Sequence, residues 1–276
     1  MLILDGKKVR DFRAGLLIER VRGLSHAPTL ALFQVGDDPA SSAYIAQKKA
    51  FAARIGACVI HRHFPVDASF DEISAAIRAD NDDPSVHGII LQLPVPAPLS
   101  ANSLIDLISP LKDVDGLTSE NQALLAEGRP RYVPATARAV SAILDFYNIP
   151  VKGRKVVVLG RSRLVGSPTA LLLSAQGGEV TVCHSKTENT KDVAREADIL
   201  VVAIGKPGLI GAEYVREGAV VIDVGITRVD GRLMGDVDHT AVESHVSAMT
   251  PVPGGVGPVT VLSLFDTLVE SVDYRI

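Results

Sequence analysis

Tyr44 and Lys48 stand four residues apart, just after an apolar run, Thr29–Val35, and a turn, Gly36-Asp37-Asp38-Pro39. Residues i and i+4 share one helix face. A helix here would therefore present a phenol and an ammonium together near the carboxyl edge of a strand, where α/β proteins place their sites. A lysine partly shielded from water, with amide and carboxylate neighbours, has its pKa moved towards neutrality and can pass protons. The ends of other apolar runs supply such neighbours: Gln92 in Leu91-Gln92-Leu93-Pro94, and Asp115 in Lys112-Asp113-Val114-Asp115-Gly116. Gln92 is the odd residue of an apolar strand, because a buried amide needs partners. The plainer alternatives are a solvated helix lysine and, for Asp115, an ordinary turn aspartate before glycine.

A second constellation binds rather than reacts. Lys155–Leu159 reads as a buried strand running into Gly160-Arg161-Ser162-Arg163-Leu164-Val165-Gly166 and a helix start. A strand–turn–helix offers free backbone N–H groups to a phosphate. The next strand, Glu179–Cys183, ends in His184-Ser185-Lys186-Thr187, where an adenosine ribose would lie. An acid there would favour a 2′-hydroxyl; none is present, and Arg161, Ser185 and Lys186 are placed to hold a 2′-phosphate. The reading is a dinucleotide, leaning to NADP. The spacing Gly160-x5-Gly166 departs from Gly-x-Gly-x-x-Gly, and similar turns occur in sheets that bind nothing. Two more unbroken apolar runs closed by glycine, 197–205 and 218–225, support a parallel sheet buried on both faces.

The elements that must position these residues alternate strand and helix. Besides Thr29–Val35, strands are expected at Ala57–His61 and Val86–Leu93. Helices are expected after the 36–39 turn, capped by Ser41 or Ser42 and stopped by Gly56, and then at Phe70–Ala79 and Ala101–Ile108. A periodic helix, Ala137–Tyr147, leads into four strands that run to about Thr250. The loop Thr250-Pro251-Val252-Pro253-Gly254-Gly255-Val256-Gly257-Pro258 then opens a last helix, Val259–Val272. The spacing predicts an α/β protein with parallel sheets.

Composition excludes several classes. Net charge is −4, with 47% apolar and 22% charged residues and no tryptophan. That gives no basic field for nucleic acid or an anionic membrane, and few stacking surfaces for single strands. No apolar run approaches a membrane span, and the first residues lack signal or transit character, so a cytoplasmic protein is expected. Cys58 and Cys183 are expected as two buried free thiols. The seven histidines show no ligand spacing, so no metal is expected.

Taken in order, Gly36–Lys48, Gly88–Pro94, Lys112–Gly116, Gly160–Gly166, Cys183–Ser185, Asp223–Ile226, Gly235–Val237 and Thr250–Pro258 resemble the bifunctional methylenetetrahydrofolate dehydrogenase/cyclohydrolase family over nearly the whole chain. The resemblance implies an N-terminal α/β folate-binding catalytic domain, 1–120 plus 255–276, and a Rossmann-like NADP-binding domain, 121–254. The C-terminal helix would return to the first domain, and the site would lie between the two. It further implies Lys48 as the catalytic lysine, Gln92 as its hydrogen-bond partner, Tyr44 stacked on the folate's p-aminobenzoyl group and Asp115 on the pterin. Pro258 would help wall the folate pocket. Gly160, Arg161, Ser162, Ser185 and Ile226 would contact NADP, and the protein would be a homodimer acting on tetrahydrofolate derivatives. One departure is Pro134-Ala135-Thr136-Ala137, where many members read Pro-Cys-Thr-Pro; slightly altered packing with retained activity is expected.

One lysine beside the folate's one-carbon unit suffices for the second chemistry, since hydrolysis of a methenyl cation needs a placed water and a proton relay. Three rivals stand beside this reading. A two-domain dehydrogenase of amino or hydroxy acids would need a substrate-carboxylate arginine with a His/Asp pair, which cannot be placed here. A non-catalytic binding module would not need a tuned lysine. A member with only one of the two activities would use the same residues.

Overall fold

The computed structural model describes residues 1–273, apart from the side chains of Ala40 and Asp273. In chain order the elements are β1 (Leu2–Ile3), α1 (Gly6–Arg22), β2 (Thr29–Val35), α2 (Pro39–Ile55), β3 (Cys58–Phe64), α3 (Phe70–Asp82), β4 (Gly88–Leu91), α4 (Ala101–Ile105) and α5 (Ser119–Ala126). There follow α6 (Ala135–Phe146), β5 (Lys155–Leu159), α7 (Gly166–Ala175), β6 (Glu179–Cys183), α8 (Thr190–Arg195), β7 (Ile199–Val202) and β8 (Ala219–Asp223). The last are β9 (Thr227–Val229), β10 (Arg232–Met234), α9 (His239–Val242), β11 (Val246–Met249) and α10 (Val256–Asp273). Among the described residues no helix is long and apolar enough to cross a membrane.

Local chemistry explains the key boundaries. Asp38, not Ser41 or Ser42, caps α2: its carboxylate accepts the Ser41 amide at 2.7 Å, and Pro39 follows at the first helical position. Proline there has no N–H to lose and a φ preset for the helix. Gly56, at φ +82°, closes α2 in the left-handed region that favours glycine. Ser69 and Glu72 form a reciprocal capping box at the start of α3. The last helix begins at Val256, three residues earlier than expected, so Pro258 lies in its first turn.

The chain forms two compact units: Phe12–Ala135 with the chain from Val261, and Met1–Asp11 with Thr136–Thr260. Against the expected 1–120 plus 255–276 and 121–254, the junctions fall at 135/136 and 260/261. The first residues join the second unit because β1 pairs in parallel with β11.

The first unit holds a parallel sheet in the order β3-β2-β4. Phe33, Ile73, Ile77, Ile89 and Leu104 are among the residues filling one side of it. The C-terminal helix returns to this unit as expected. Phe265 packs on Phe51 with ring centroids 5.5 Å apart, and Ser271 Oγ donates to the His87 carbonyl at 3.1 Å. A Cβ at Gly88 would lie 2.7 Å from side-chain carbons of both Leu268 and Val114, so any larger residue would force those side chains to shift.

The second unit is a six-stranded parallel sheet, β1-β11-β8-β7-β5-β6, with an antiparallel hairpin of β9 and β10 beside it in sequence. The expected four strands are there; β11 and β1 extend the sheet beyond β8. In each sheet one strand has its successor on one side and the following strand on the other: β2 between β3 and β4, β5 between β6 and β7. Such order reversals are where open α/β sheets leave a crevice at their carboxyl ends. Both cysteines are free, but only Cys183 is buried. Cys58 is exposed because it opens the edge strand β3, correcting the expectation of two buried thiols.

Candidate active site

The reversal in the first sheet carries the lysine. Gln92 directly follows β4, and its backbone N–H donates to the Phe33 carbonyl at 2.8 Å, continuing the ladder with β2. Its side-chain Nε2 donates to the Leu93 carbonyl at 2.9 Å, which turns Oε1 away as a free acceptor. Lys48 Nζ, from α2, donates to that oxygen at 2.8 Å. Ser41 Oγ, in the first turn of α2, donates to the same Leu93 carbonyl at 3.1 Å, fixing helix against strand end. Tyr44 is half-buried one turn before Lys48, and burial pushes its phenol pKa up.

Asp115 sits in the turn between α4 and α5, and that turn is held by Asp113. The buried Asp113 carboxylate accepts the amides of Leu117 and Thr118 at 3.0 and 2.7 Å and the Asn121 side chain at 2.8 Å. Asp115 itself accepts the N–H of Ala135. Burial pushes the Lys48 ammonium below its ordinary range, opposed by the Asp115 charge. Burial likewise pushes Asp115 above the usual carboxylate range, with Asp113 adding to the shift and Lys48 and the Ala135 amide opposing it. Both groups are thus biased towards their neutral forms, and a proton on Lys48 is easier to remove than one on a solvated lysine.

The reversal in the second sheet carries a phosphate-loop geometry. Gly160 has φ +115°, and a Cβ there would collide with the Ala203 carbonyl beyond β7. At Gly166 a Cβ would collide with the Gly160 carbonyl, so both glycines are required by close approach. Ser162 Oγ accepts the amides of Val165 and Gly166 at 3.2 and 3.3 Å, taking the capping role that Val165 cannot. Arg161, Ser162, Ser185 and Lys186 are exposed, and Ile226 is 41% exposed. The turn after β6 is closed by its own residues, His184 N donating to Thr187 Oγ1 at 3.0 Å and Lys186 N to His184 Nδ1 at 3.1 Å.

The structure therefore gathers Lys48 with Gln92 and Asp115 in the first unit, with Tyr44 one turn away on α2. It sets Gly160, Arg161 and Ser162 in the loop after β5 of the second unit, with Ser185 and Ile226 in the loops after β6 and β8. Pro258 also belongs to the second unit, half-buried in α10. Asp113 and the Ala135 amide were not given roles from sequence, and Ser41, expected as a helix cap, instead donates to the Leu93 carbonyl. Only Asp113 had a signal, its place two residues before Asp115. Among the described residues no group of three or more His, Cys, Asp or Glu is arranged to hold a metal ion.

Residues 4–115 match the family model for the catalytic domain of tetrahydrofolate dehydrogenase/cyclohydrolase, and residues 134–276 match that for its NAD(P)-binding domain. A bifunctional protein FolD of Methanoculleus marisnigri is 44% identical over 275 residues, 99% of this chain and 97% of the relative. The crystal structure of the FolD methylenetetrahydrofolate dehydrogenase/cyclohydrolase of Campylobacter jejuni has a TM-score of 0.97 at 36% identity, covering 100% of both chains. That of the Trypanosoma brucei methylenetetrahydrofolate dehydrogenase-cyclohydrolase, complexed with NADP and an inhibitor, has a TM-score of 0.94 at 34% identity and covers 100% of this chain and 98% of its own. The chain belongs to the tetrahydrofolate dehydrogenase/cyclohydrolase family, the bifunctional enzymes of one-carbon metabolism, and ends in that family's NAD(P)-binding domain.

Proposed function

We propose that Lys48, Gln92, Asp115 and Tyr44 form the folate site of this bifunctional enzyme and that its dinucleotide is NADP. The substrate is then 5,10-methylenetetrahydrofolate, oxidised to the methenyl form and hydrolysed to 10-formyltetrahydrofolate. The observation that carries the site is the 2.8 Å bond from Lys48 to Gln92, beside the charge of Asp115.

The second unit's residues fit a dinucleotide. Gly160 and Gly166 leave a cradle that a Cβ would fill, at the order reversal of a parallel sheet. No acid stands at positions 183–187, and the exposed Arg161, Ser185 and Lys186 supply a cation pair and a hydroxyl for a 2′-phosphate. NADP, when bound, would supply the acceptor for the hydride leaving the folate's methylene carbon. The chain's own residues do the rest. Gly160, Arg161 and Ser162 would hold the phosphates, with Ser185 and Ile226 also in contact. Tyr44 supplies a flat apolar face for the p-aminobenzoyl ring, and Asp115 accepts from the pterin's N–H groups.

In the hydrolytic step Lys48, its ammonium destabilised by burial, takes a proton from the attacking water and returns one to the departing ring nitrogen. Gln92 holds the amine in place for both transfers. The part of Pro258 in walling the folate pocket and the homodimer rest on the family resemblance.

Lys48→Ala tests the site. Cyclohydrolase kcat should fall by at least about a hundredfold, the usual contribution of a proton-transfer group, while NADP binds as before. Undiminished cyclohydrolase activity in that variant would sink the assignment.

A further inference from the structure

Apart from Ile226, the motif Asp223-Val-Gly225-Ile226 with Gly235-Asp236-Val237 has no task in the chemistry above, yet it contains two of the most deeply buried carboxylates among the described residues. Asp223 is 1% exposed and Asp236 is 0% exposed. Asp236 Oδ2 accepts the backbone N–H groups of Ile204 and Gly205 at 2.7 and 2.8 Å, in the loop that follows β7. Its Oδ1 is buried without a hydrogen-bond partner among the described residues.

Gly225, in the loop after β8, lies so close to this carboxylate that a Cβ would collide with it. Gly225 does not have a left-handed backbone, so it is the approach of the Asp236 carboxylate, not strain, that keeps a side chain out. Asp223 locks the same place from beneath. Its Oδ1 accepts the amides of Gly225 and Asp236, each at 3.0 Å, and its Oδ2 accepts that of Val237 at 3.1 Å. His239 Nε2 stands 3.3 Å from Oδ2. Gly235 is glycine because a Cβ would collide with that oxygen.

These contacts form one line along the carboxyl edge of the sheet. Gly160, in the phosphate loop, rests on the Ala203 carbonyl; Ile204 and Gly205 hang on Asp236; Asp236 presses on Gly225; and Ile226 comes next. A buried carboxylate with one oxygen unsatisfied is a costly way to fill space. What it gives that an apolar side chain cannot is a fixed height for two loops at once.

We propose that Asp236 is a positioning residue for the cofactor: through Ile204, Gly205 and Gly225 it sets the loops after β7 and β8 that, with the Gly160 loop, shape the dinucleotide site. This rests on reading the second unit as the NADP site. It gives Gly225 and Gly235 one physical reason, the close approach of a carboxylate to backbone.

The test reads NADP affinity by isothermal titration calorimetry, beside cyclohydrolase rate measured without NADP, which reports on the Lys48 site. Asp236→Ala should weaken NADP about tenfold or more, a part of what two backbone hydrogen bonds to a carboxylate are worth because the loop bears the rest of the loss, with cyclohydrolase kcat/KM within about twofold of the parent. Asp236→Asn keeps an acceptor oxygen for both amides and should recover most of the affinity. Gly225→Ala should also weaken NADP, and adding Asp236→Ala to it should cost little more, because the methyl then enters vacated space. If Asp236→Ala does not fold, Gly225→Ala and Asp236→Asn decide the matter. Parental NADP affinity in Gly225→Ala overturns the inference, as does a loss of cyclohydrolase equal to the loss of NADP binding. A parent protein that takes up no NADP overturns the cofactor reading itself, and the inference with it.

Discussion

Lys48 Nζ donates to Gln92 Oε1 at 2.8 Å, and together with the Ser41–Leu93 bond this ties the helix after β2 to the end of β4. The amide can do this because its other end is already engaged by the Leu93 carbonyl. Side-chain orientation at the site is therefore fixed before any substrate arrives.

The first prediction concerns that bond. An ammonium donates more strongly than a neutral amine, so the bond favours protonated Lys48 against the burial that disfavours it. Gln92→Met removes it, and the rising limb of the cyclohydrolase pH–rate profile should move to lower pH by about one unit, the size of one charge-assisted bond. Gln92→Glu adds a charge and should move the limb the other way. Profiles that do not move in either variant would show that Gln92 has no hold on the lysine.

A second prediction couples the site to stability. Lys48 is depressed and Asp115 raised by burial. A base with a depressed folded pKa gives stability that grows as pH rises through that pKa. An acid with a raised folded pKa gives stability that is lost as pH rises from its unfolded value through its folded one. Lys48→Met removes the first effect and enlarges the second, since it deletes the charge that held Asp115 down. The Tm deficit of Lys48→Met against the parent should therefore be larger at pH 8 than at pH 5. A deficit that is flat with pH would contradict the coupling.

The third concerns cofactor choice. Arg161→Ala should weaken NADP by about tenfold or more, as for a charged hydrogen bond, while NAD is little affected. Because Arg161 is exposed, the salt dependence of NADP binding should also flatten in the variant. Equal losses for both dinucleotides would mean that the guanidinium does not read the 2′-phosphate.

The fourth is a packing test. Gly88→Ala places a methyl against Leu268 and Val114 and should destabilise the protein by roughly 1–3 kcal/mol, as overpacking does. Adding Leu268→Ala should return part of that loss, read as a partial recovery of Tm. Strictly additive losses would show that the two residues do not compete for the space.

Much of this was legible in the sequence, for physical reasons. Unbroken Val/Ile runs such as Lys155–Leu159 and Ile199–Val202 announce strands covered on both faces, and the glycines after them mark where a Cβ would strike the next loop. The i, i+4 pair Tyr44 and Lys48 was visible from spacing alone. The N-terminal helix was not seen: Gly6–Arg22 has no acidic first turn, is broken in composition by Gly15 and shows little amphipathic contrast. β1 is two residues long, and the hairpin β9–β10 is largely exposed, so neither leaves an apolar trace. Asp113 and Asp236 look like turn aspartates in a sequence. Their role comes from backbone N–H groups of chain segments that they meet only when folded.

The return of the last helix has a consequence for how the protein is made. The Ser271 hydroxyl and the His87 carbonyl that it meets are 184 residues apart, and the strip of β4 around Gly88 has its cover in Leu268. At synthesis rates of about 5–20 residues per second that separation is roughly ten to forty seconds. β1, the first strand to emerge, likewise waits for β11. Neither domain can therefore close on the ribosome in the order in which it is written. The first sheet emerges with its strands complete but without the cover of its last helix, and the second waits for β11 to pair with β1.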